Sequence, residues 1–277
     1  MCRWLAYSGT PILLEELLYK PRFSLIDQSQ HSRMGVTTTN GDGFGVGWYL
    51  PDIPRPTLFR GVGPAWGDLN LREVAGSVSS PLFLAHIRAS TGTPVQQTNC
   101  HPFRYGNWLW VHNGAIRSFE LLKRDLVLAV APELYPSLAG STDSEVMFYL
   151  ALTFGLEDDP IGALERMAGF VEAVGHRADV AEPLQMTVGL SDGERVYAAR
   201  YASGAEANTL FVSSSAQDLR LLLPAEERFR HFSDEARVVV SEPLIDLPGL
   251  WHEIPASTAL IVQDGPDLDL PFTPRSP

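Results

Sequence analysis

Three consecutive helical segments, with short strand-like segments before and after them, limit what this chain can fold into. Ser118 is placed to cap a helix over Phe119–Val130. Thr142-Asp143-Ser144-Glu145 has the spacing of a capping box and opens a second helix that runs to about Phe154. Its body is apolar nearly all round, which predicts burial. Asp159-Pro160 opens a third, with Ile161, Leu164, Met167, Ala168, Val171 and Val174 at helical spacing and Gly175 as its stop. Ahead of these helices, Leu82–Arg88 and Asn107–Val111 read as apolar strands. After them, Leu184, Met186, Val188 and Leu190 alternate with more polar residues, and Arg195–Tyr201, Leu210–Ser213, Arg237–Ser241 and Thr258–Val262 follow, separated by turn residues. Strands, then helices, then strands predict a layered α+β domain, two antiparallel sheets packed against helices.

Local features complete that outline. Leu13–Leu18 carries a helical turn or two, and residues 19–40 read as a long ordered loop. Residues 51–64 form a proline-punctuated turn and a short edge strand. No linker or repeat divides the chain, so residues 2–277 are expected to be one domain, with the Pro- and Asp-rich stretch 264–277 fraying.

The formal net charge of −12, from 33 acidic and 21 basic residues, argues against nucleic acid or an anionic membrane as partner. Two cysteines make no disulfide framework, and nothing at the N-terminus reads as a signal peptide. No apolar run approaches the ~18 residues of a membrane span. A cytoplasmic protein is expected.

Chemistry enters with Cys2. If Met1 is removed, thiol and free α-amine belong to one residue, and an amine with pKa of about 7.7–8.0 can take the thiol proton near neutral pH. Taken alone, position 2 could simply be small. Asn40-Gly41-Asp42-Gly43-Phe44-Gly45-Val46-Gly47 allows close backbone approach, but no helix pattern or Lys-Ser/Thr pair follows, so a phosphate-binding loop is disfavoured. Alternation places His86 and Arg88 on one strand face, and a charge there needs a reason. Arg88 could close a structural ion pair, Asp143 could serve only the helix dipole, and Asn113-Gly114 at a strand end could be an ordinary turn. His86, His101, His112 and Cys100 match no standard zinc spacing, so no metal is expected; the histidines read as packed residues and Cys100 as a small buried one.

Read together, Cys2, His86-Ile87-Arg88-Ala89-Ser90-Thr91, Asn99-Cys100-His101-Pro102-Phe103, Val111-His112-Asn113-Gly114 and Gly140-Ser141-Thr142-Asp143-Ser144-Glu145 resemble the class II glutamine amidotransferase domain. The pieces come in the family's order and at compatible spacings. The resemblance implies a four-layer αββα N-terminal-nucleophile hydrolase fold. It implies Cys2 as the nucleophile that forms a γ-glutamyl thioester, with Asn113 and Gly114 as the oxyanion hole. It implies Arg88 and Thr91 on the substrate α-carboxylate and Asp143 on its α-ammonium, with no cofactor. A γ-glutamyl group carries one carboxylate and one ammonium, so one fixed cation and one fixed anion suit it.

Within the family, Asp27-Gln28-Ser29, Asn40-Gly41-Asp42-Gly43-Phe44-Gly45 and Pro64-Ala65-Trp66 add a finer resemblance, to the amidotransferase-like subunit of the yeast glutathione-degradation complex. A related branch is the γ-glutamyl hydrolase of ergothioneine biosynthesis. The implied activity is hydrolysis of the amide of glutamine or of a γ-glutamyl compound such as glutathione. The alternatives are a glutaminase subunit that passes ammonia to a separate synthase, and a non-catalytic interaction module. A separate synthase or peptidase subunit is the implied protein partner.

Overall fold

The computed structural model describes residues 2–34, 39–90, 92–204, 206–222 and 232–277. In chain order its elements are β1 (Arg3–Leu13), α1 (Glu15–Leu18), α2 (Leu25–Gln30), β2 (Phe44–Trp48), β3 (Thr57–Gly61), α3 (Leu69–Ser77), β4 (Ser79–Ile87), β5 (Phe103–Tyr105) and β6 (Trp108–Ile116). Then come α4 (Phe119–Leu128), α5 (Asp143–Thr153), α6 (Pro160–Arg177), β7 (Leu184–Ser191), β8 (Val196–Ala202), β9 (Phe211–Ser213) and α7 (Ala216–Leu222). The last four are β10 (Arg237–Val240), β11 (Trp251–Glu253), β12 (Thr258–Val262) and β13 (Leu268–Pro271).

The strands form two sheets. One has seven strands in the order β11-β9-β10-β1-β4-β2-β3, the other six in the order β13-β12-β8-β7-β6-β5. The pairings in both are antiparallel. Side-chain alternation on β1 explains the layering. Trp4 and Ala6, with Leu84 of β4, face the second sheet, where they meet Leu109, Val111 and Ala198. Leu5 and Tyr7 face the other way, onto Leu17, Leu25, Leu71 and Ala75 of the first helical layer. A strand covered on both sides must be apolar at successive positions, and β1 is. Beyond the second sheet, Leu122, Phe148, Leu164 and Val171 of α4, α5 and α6 cover Trp110, Met186 and Val188. The result is the four-layer αββα arrangement that the family resemblance implies, and it contains the two antiparallel sheets expected from the order of strands and helices.

The local expectations hold in part. Thr142 caps α5 through its hydroxyl, which accepts from the Glu145 N–H at 3.2 Å. The Glu145 carboxylate does not close the box; it accepts instead from the N–H groups of Ala139 (3.0 Å) and Gly140 (2.7 Å). Ser118 makes no side-chain cap, because its φ of 57° turns it into the left-handed region. The 19–40 loop contains α2, started by Ser24, whose hydroxyl accepts from the Asp27 N–H. α3 had no legible period, since only Leu71 and Ala75 are buried on it. The stretch expected to fray carries β13, paired to β12, and Phe272 is buried beyond it. The strand expected over Asn107–Val111 is longer than that: β6 continues through Asn113-Gly114 to Ile116 in register with β7, Asn113 opposite Thr187 and Gly114 opposite Met186, which excludes the alternative of a turn there. No helix among the described residues is long and apolar enough to cross a membrane.

Candidate active site

Cys2 lies immediately before β1, a central strand of the seven-stranded sheet, where Arg3 stands opposite Ile87 at the end of β4. That register brings the thiol to the chain as it leaves β4. The Cys2 thiol donates to the Ala89 carbonyl at 3.6 Å, and the Ala89 N–H points at the sulfur from 3.5 Å. The residue is partly accessible, yet protein packs densely round its sulfur. This burial pushes the thiol pKa up. The Ala89 N–H and the Arg88 charge act against the rise, and the Asp143 carboxylate adds to it.

Arg88 is 3% exposed. Its Nη1 donates to the Asp42 carbonyl (3.1 Å), and its Nη2 to Thr93 Oγ1 (2.6 Å) and Ser90 Oγ (3.2 Å). Every one of these acceptors is neutral, and no carboxylate among the described residues forms an ion pair with it. A buried cation without a counter-ion is costly unless a ligand supplies the charge.

The glycine-rich stretch ahead of β2 is the cradle of this arginine rather than a phosphate loop. The Asp42 N–H donates to the Arg88 carbonyl (3.1 Å), the Arg88 N–H to the Gly43 carbonyl (2.8 Å), and the Ser90 N–H to the Asp42 carboxylate (2.7 Å). Gly43 has φ +118°, and a Cβ on it would stand 2.5 Å from the Cys100 sulfur. Only glycine fits there.

Across the sandwich, Asn113 shares the inward parity of Leu109 and Val111 on β6. Its carbonyl accepts from Asn208 Nδ2 (3.2 Å) and from the Thr187 hydroxyl (3.4 Å), while the Thr187 hydroxyl accepts from Trp4 Nε1 (3.2 Å). Trp4 and Asn113 are therefore linked through one buried hydroxyl. The Asn113 side-chain amide has no hydrogen-bond partner among the described residues, which leaves its N–H donors for a ligand. A Cβ at Gly114 would collide with the Gln185 carbonyl, so this position also demands glycine.

Asp143 opens α5. One carboxylate oxygen accepts from the Ile116 N–H (2.8 Å) and the other from the Ser144 N–H (2.8 Å). It too has no ion-pair partner among the described residues. Thus an unpaired guanidinium and an unpaired carboxylate both act on the Cys2 sulfur. Thr91, the remaining expected contact, lies outside the described residues, as does Met1.

The histidines pack, as their apolar settings suggested. His86 Nε2 donates to the His112 carbonyl (3.0 Å), the His86 and His101 rings stand 4.1 Å apart, and His112 Nδ1 is 2.7 Å from Ser144 Oγ. Burial holds His86 down to about 3, pushes His101 well below its ordinary value and lowers His112. Three neutral rings add no positive charge beside Arg88. Among the described residues no group of His, Cys, Asp and Glu is arranged to hold a metal.

Sequence reasoning did not find Asp42, Thr93, Thr187, Asn208 or the Arg3–Glu242 pair. That pair is buried, with Arg3 Nε 2.8 Å from the carboxylate, and Arg3 Nη1 donates to the Cys2 carbonyl at 2.9 Å. Glu242 also accepts from the N–H groups of Arg33 (3.0 Å) and Met34 (3.1 Å). An arginine directly after the candidate nucleophile was the one visible signal.

Known proteins resemble this chain along most of its length. The model of the class-II glutamine amidotransferases matches residues 13–275, a range that holds Arg88, Asn113, Gly114 and Asp143 and begins after Cys2. The chain is 32% identical to a Saccharomyces cerevisiae protein named probable glutamine amidotransferase DUG3, over 95% of this chain and 82% of that one. It is 35% identical to the γ-glutamyl-hercynylcysteine sulfoxide hydrolase of Mycobacterium tuberculosis over 120 residues, 42% of this chain and 50% of that protein. Among solved structures, a class-II glutamine aminotransferase domain protein from Silicibacter pomeroyi superposes with a TM-score of 0.73 at 34% identity, covering 99% of this chain and 100% of that one. The Bacillus subtilis glutamine phosphoribosylpyrophosphate amidotransferase, at 17% identity and a TM-score of 0.65 over 99% of this chain and 50% of its own, shares the fold. The chain belongs to the class-II glutamine amidotransferases.

Proposed function

We propose that this chain hydrolyses a γ-glutamyl amide through a thioester on Cys2 and releases glutamate. The observation that carries the reading is the pair of unpaired opposite charges, Arg88 and Asp143, on either account of one thiol. In this reading the two charges hold an α-amino acid group, its carboxylate on Arg88 and its ammonium on Asp143, with its side chain directed to the sulfur.

Removal of Met1 frees the Cys2 amine, which takes the thiol proton. The thiolate attacks the γ-carbonyl carbon, and the oxygen gains negative charge opposite the Asn113 amide and the Gly114 N–H. The C–N bond breaks as the Cys2 ammonium returns its proton to the departing amine. Water, deprotonated by the same amine, then adds to the thioester; the C–S bond breaks, glutamate leaves, and the departing thiolate takes that proton from the Cys2 ammonium to regenerate the thiol. Each proton is used once in each direction, so no external acid or base is required.

The whole chain acts as one domain in this reading, since β10 from its last third pairs with β1 from its start and carries β9 on its other edge. A cytoplasmic setting suits a mechanism that needs Cys2 reduced, and both cysteines are free thiols. The yeast relative's name, an amidotransferase, favours a second reading in which the nitrogen passes to a separate subunit that uses it.

The test is glutamate release from glutamine, glutathione and further γ-glutamyl amides, with Cys2→Ala as control and mass spectrometry to show that Met1 is absent. Turnover of one γ-glutamyl compound ahead of glutamine, abolished in the control, is the expected result. Release that persists in Cys2→Ala would sink the mechanism. Turnover that appears only with a partner subunit would select the second reading.

A further inference from the structure

A second cluster of cations lies away from Cys2, and the catalytic reading does not use it. β3 and β5 are edge strands of the two sheets, and a cleft of about 470 Å³ lies where Arg55, Arg60 and Arg104 converge with Gln97, Ile53 and Leu58. That volume falls within the range of small-molecule sites, ~300–1,000 Å³. The chain carries a net charge of −12, yet none of the three arginines forms an ion pair among the described residues. Each has donors to spare. Arg60 Nη1 donates to the Cys100 carbonyl (3.1 Å) and Arg104 Nη1 to the Pro56 carbonyl (2.8 Å), while Arg55 has no hydrogen bond among the described residues. Those two carbonyls fix two of the forks in place. Burial lowers the pKa of Arg104, and the charges of Arg55 and Arg60 lower it further, so Arg104 is repelled by both.

Like-charged guanidinium groups in one cleft, two of them held by carbonyls, are stabilised most by an oxyanion that several can share. We propose that this cleft binds a small organic anion through a phosphate or carboxylate group held by Arg55, Arg60 and Arg104, with its body against Ile53 and Leu58.

The cleft is a site apart from the catalytic one. Arg60 pairs with Gly45, which pairs with His86, so one row of the sheet joins β3 to β4. However, the Cys100–His101 segment lies over that row. The His101 carbonyl is in close contact with Gly45, its ring stacks on His86, and the Cys100 carbonyl holds Arg60. An anion on Arg60 and Arg104 is thereby kept from Arg88, and its binding does not compete with a γ-glutamyl ligand. The inference does not rest on the catalytic reading.

Calorimetric titration of the full chain with inorganic phosphate and with citrate, at constant ionic strength set with chloride, tests it. One saturable site per chain is expected, weakened at least tenfold in Arg104→Gln and in Arg55→Gln and unaltered by saturating glutamate. Arg55→Gln breaks no hydrogen bond of the described structure and so keeps the test clear of misfolding. Tighter binding of phosphate assigns a phosphate ester, and tighter binding of citrate a polycarboxylate; either supports the site. The proposal is overturned by the absence of saturable heat, by unchanged affinity in both variants, or by displacement with glutamate, which would put the anion on Arg88.

Discussion

The Thr187 hydroxyl is the narrowest structural link between the two halves of the candidate site, and Thr187→Val cuts it at nearly constant shape. Trp4, two residues after Cys2, donates its indole N–H to Thr187, which donates in turn to the carbonyl of Asn113. Trp4 and Thr187 are both 0% exposed, so water cannot replace the lost acceptor without entering the core. An orphaned buried donor costs about 1–3 kcal/mol. For a domain of this size each kcal/mol lowers Tm by roughly 2–4 °C, so a fall of about 2–12 °C is expected. Asn113 keeps its second donor, Asn208, and should therefore shift rather than detach. A displacement of about 1 Å between reacting groups can cost ~100-fold in rate. The expected kinetic result is a fall in kcat of tenfold or more with KM little changed, because Arg88 and Asp143 are untouched. Thr187→Ser restores the hydroxyl and should recover most of both losses. Thermal unfolding and glutamate release on the three proteins provide the readouts. A Tm within 1 °C of wild type together with an unchanged kcat in Thr187→Val would refute the link, and so would a failure of Thr187→Ser to recover either.

Three further outcomes follow from the same geometry. Asn113→Ala removes a side-chain oxyanion donor, worth about 2.7–4 kcal/mol in comparable sites, so kcat should fall by roughly two to three orders of magnitude; a loss under about tenfold removes Asn113 from the role. Arg88→Ala should raise KM at least tenfold with a smaller effect on kcat, and an unchanged KM would count against a carboxylate contact. The buried histidines predict acid lability. Their pKa values are depressed in the folded state, His86 to about 3, so between there and the ordinary value near 6.5 the unfolded chain binds more protons. Stability is complete above pH 6.5 and is lost as pH falls through that window, by up to about 1.4 kcal/mol per pH unit for each of the three rings. Urea midpoints at pH 7.5, 5.5 and 4.5 measure it, and His101→Phe should flatten about a third of the slope. A level profile from pH 7 to 5 would contradict the neutral packing of these rings.

The parts of the site that could be read from sequence are those set by near neighbours. The cap at Thr142 and the burial of α5 follow from a hydroxyl three residues before an N–H and from apolar side chains on every face of the helix. Arg88 on the face of His86 follows from the two-residue period of a strand. The elements that escaped reading were short or weakly patterned. α2 has six residues, too few for a helical period, and α3 buries only Leu71 and Ala75. Asn113-Gly114 allowed a turn as an alternative because Asn and Gly favour turns, whereas pairing with β7 over eight positions holds both in the sheet. Tertiary pairing outweighed local preference there.

By itself the sequence determined the order of the longer strands and helices and the caps that start α5 and α6, since each depends on residues a few positions apart; the groups expected around Cys2 came from the family resemblance, not from local spacing. Only the tertiary structure decided that Arg88 and Asp143 lack counter-ions, that Thr187 joins Trp4 to Asn113, and that Glu242 meets Arg3. These contacts span 74 to 239 residues of chain. Whether a charge is paired, and by what, depends on which distant strands the packing of two sheets brings together, and no local spacing carries that information.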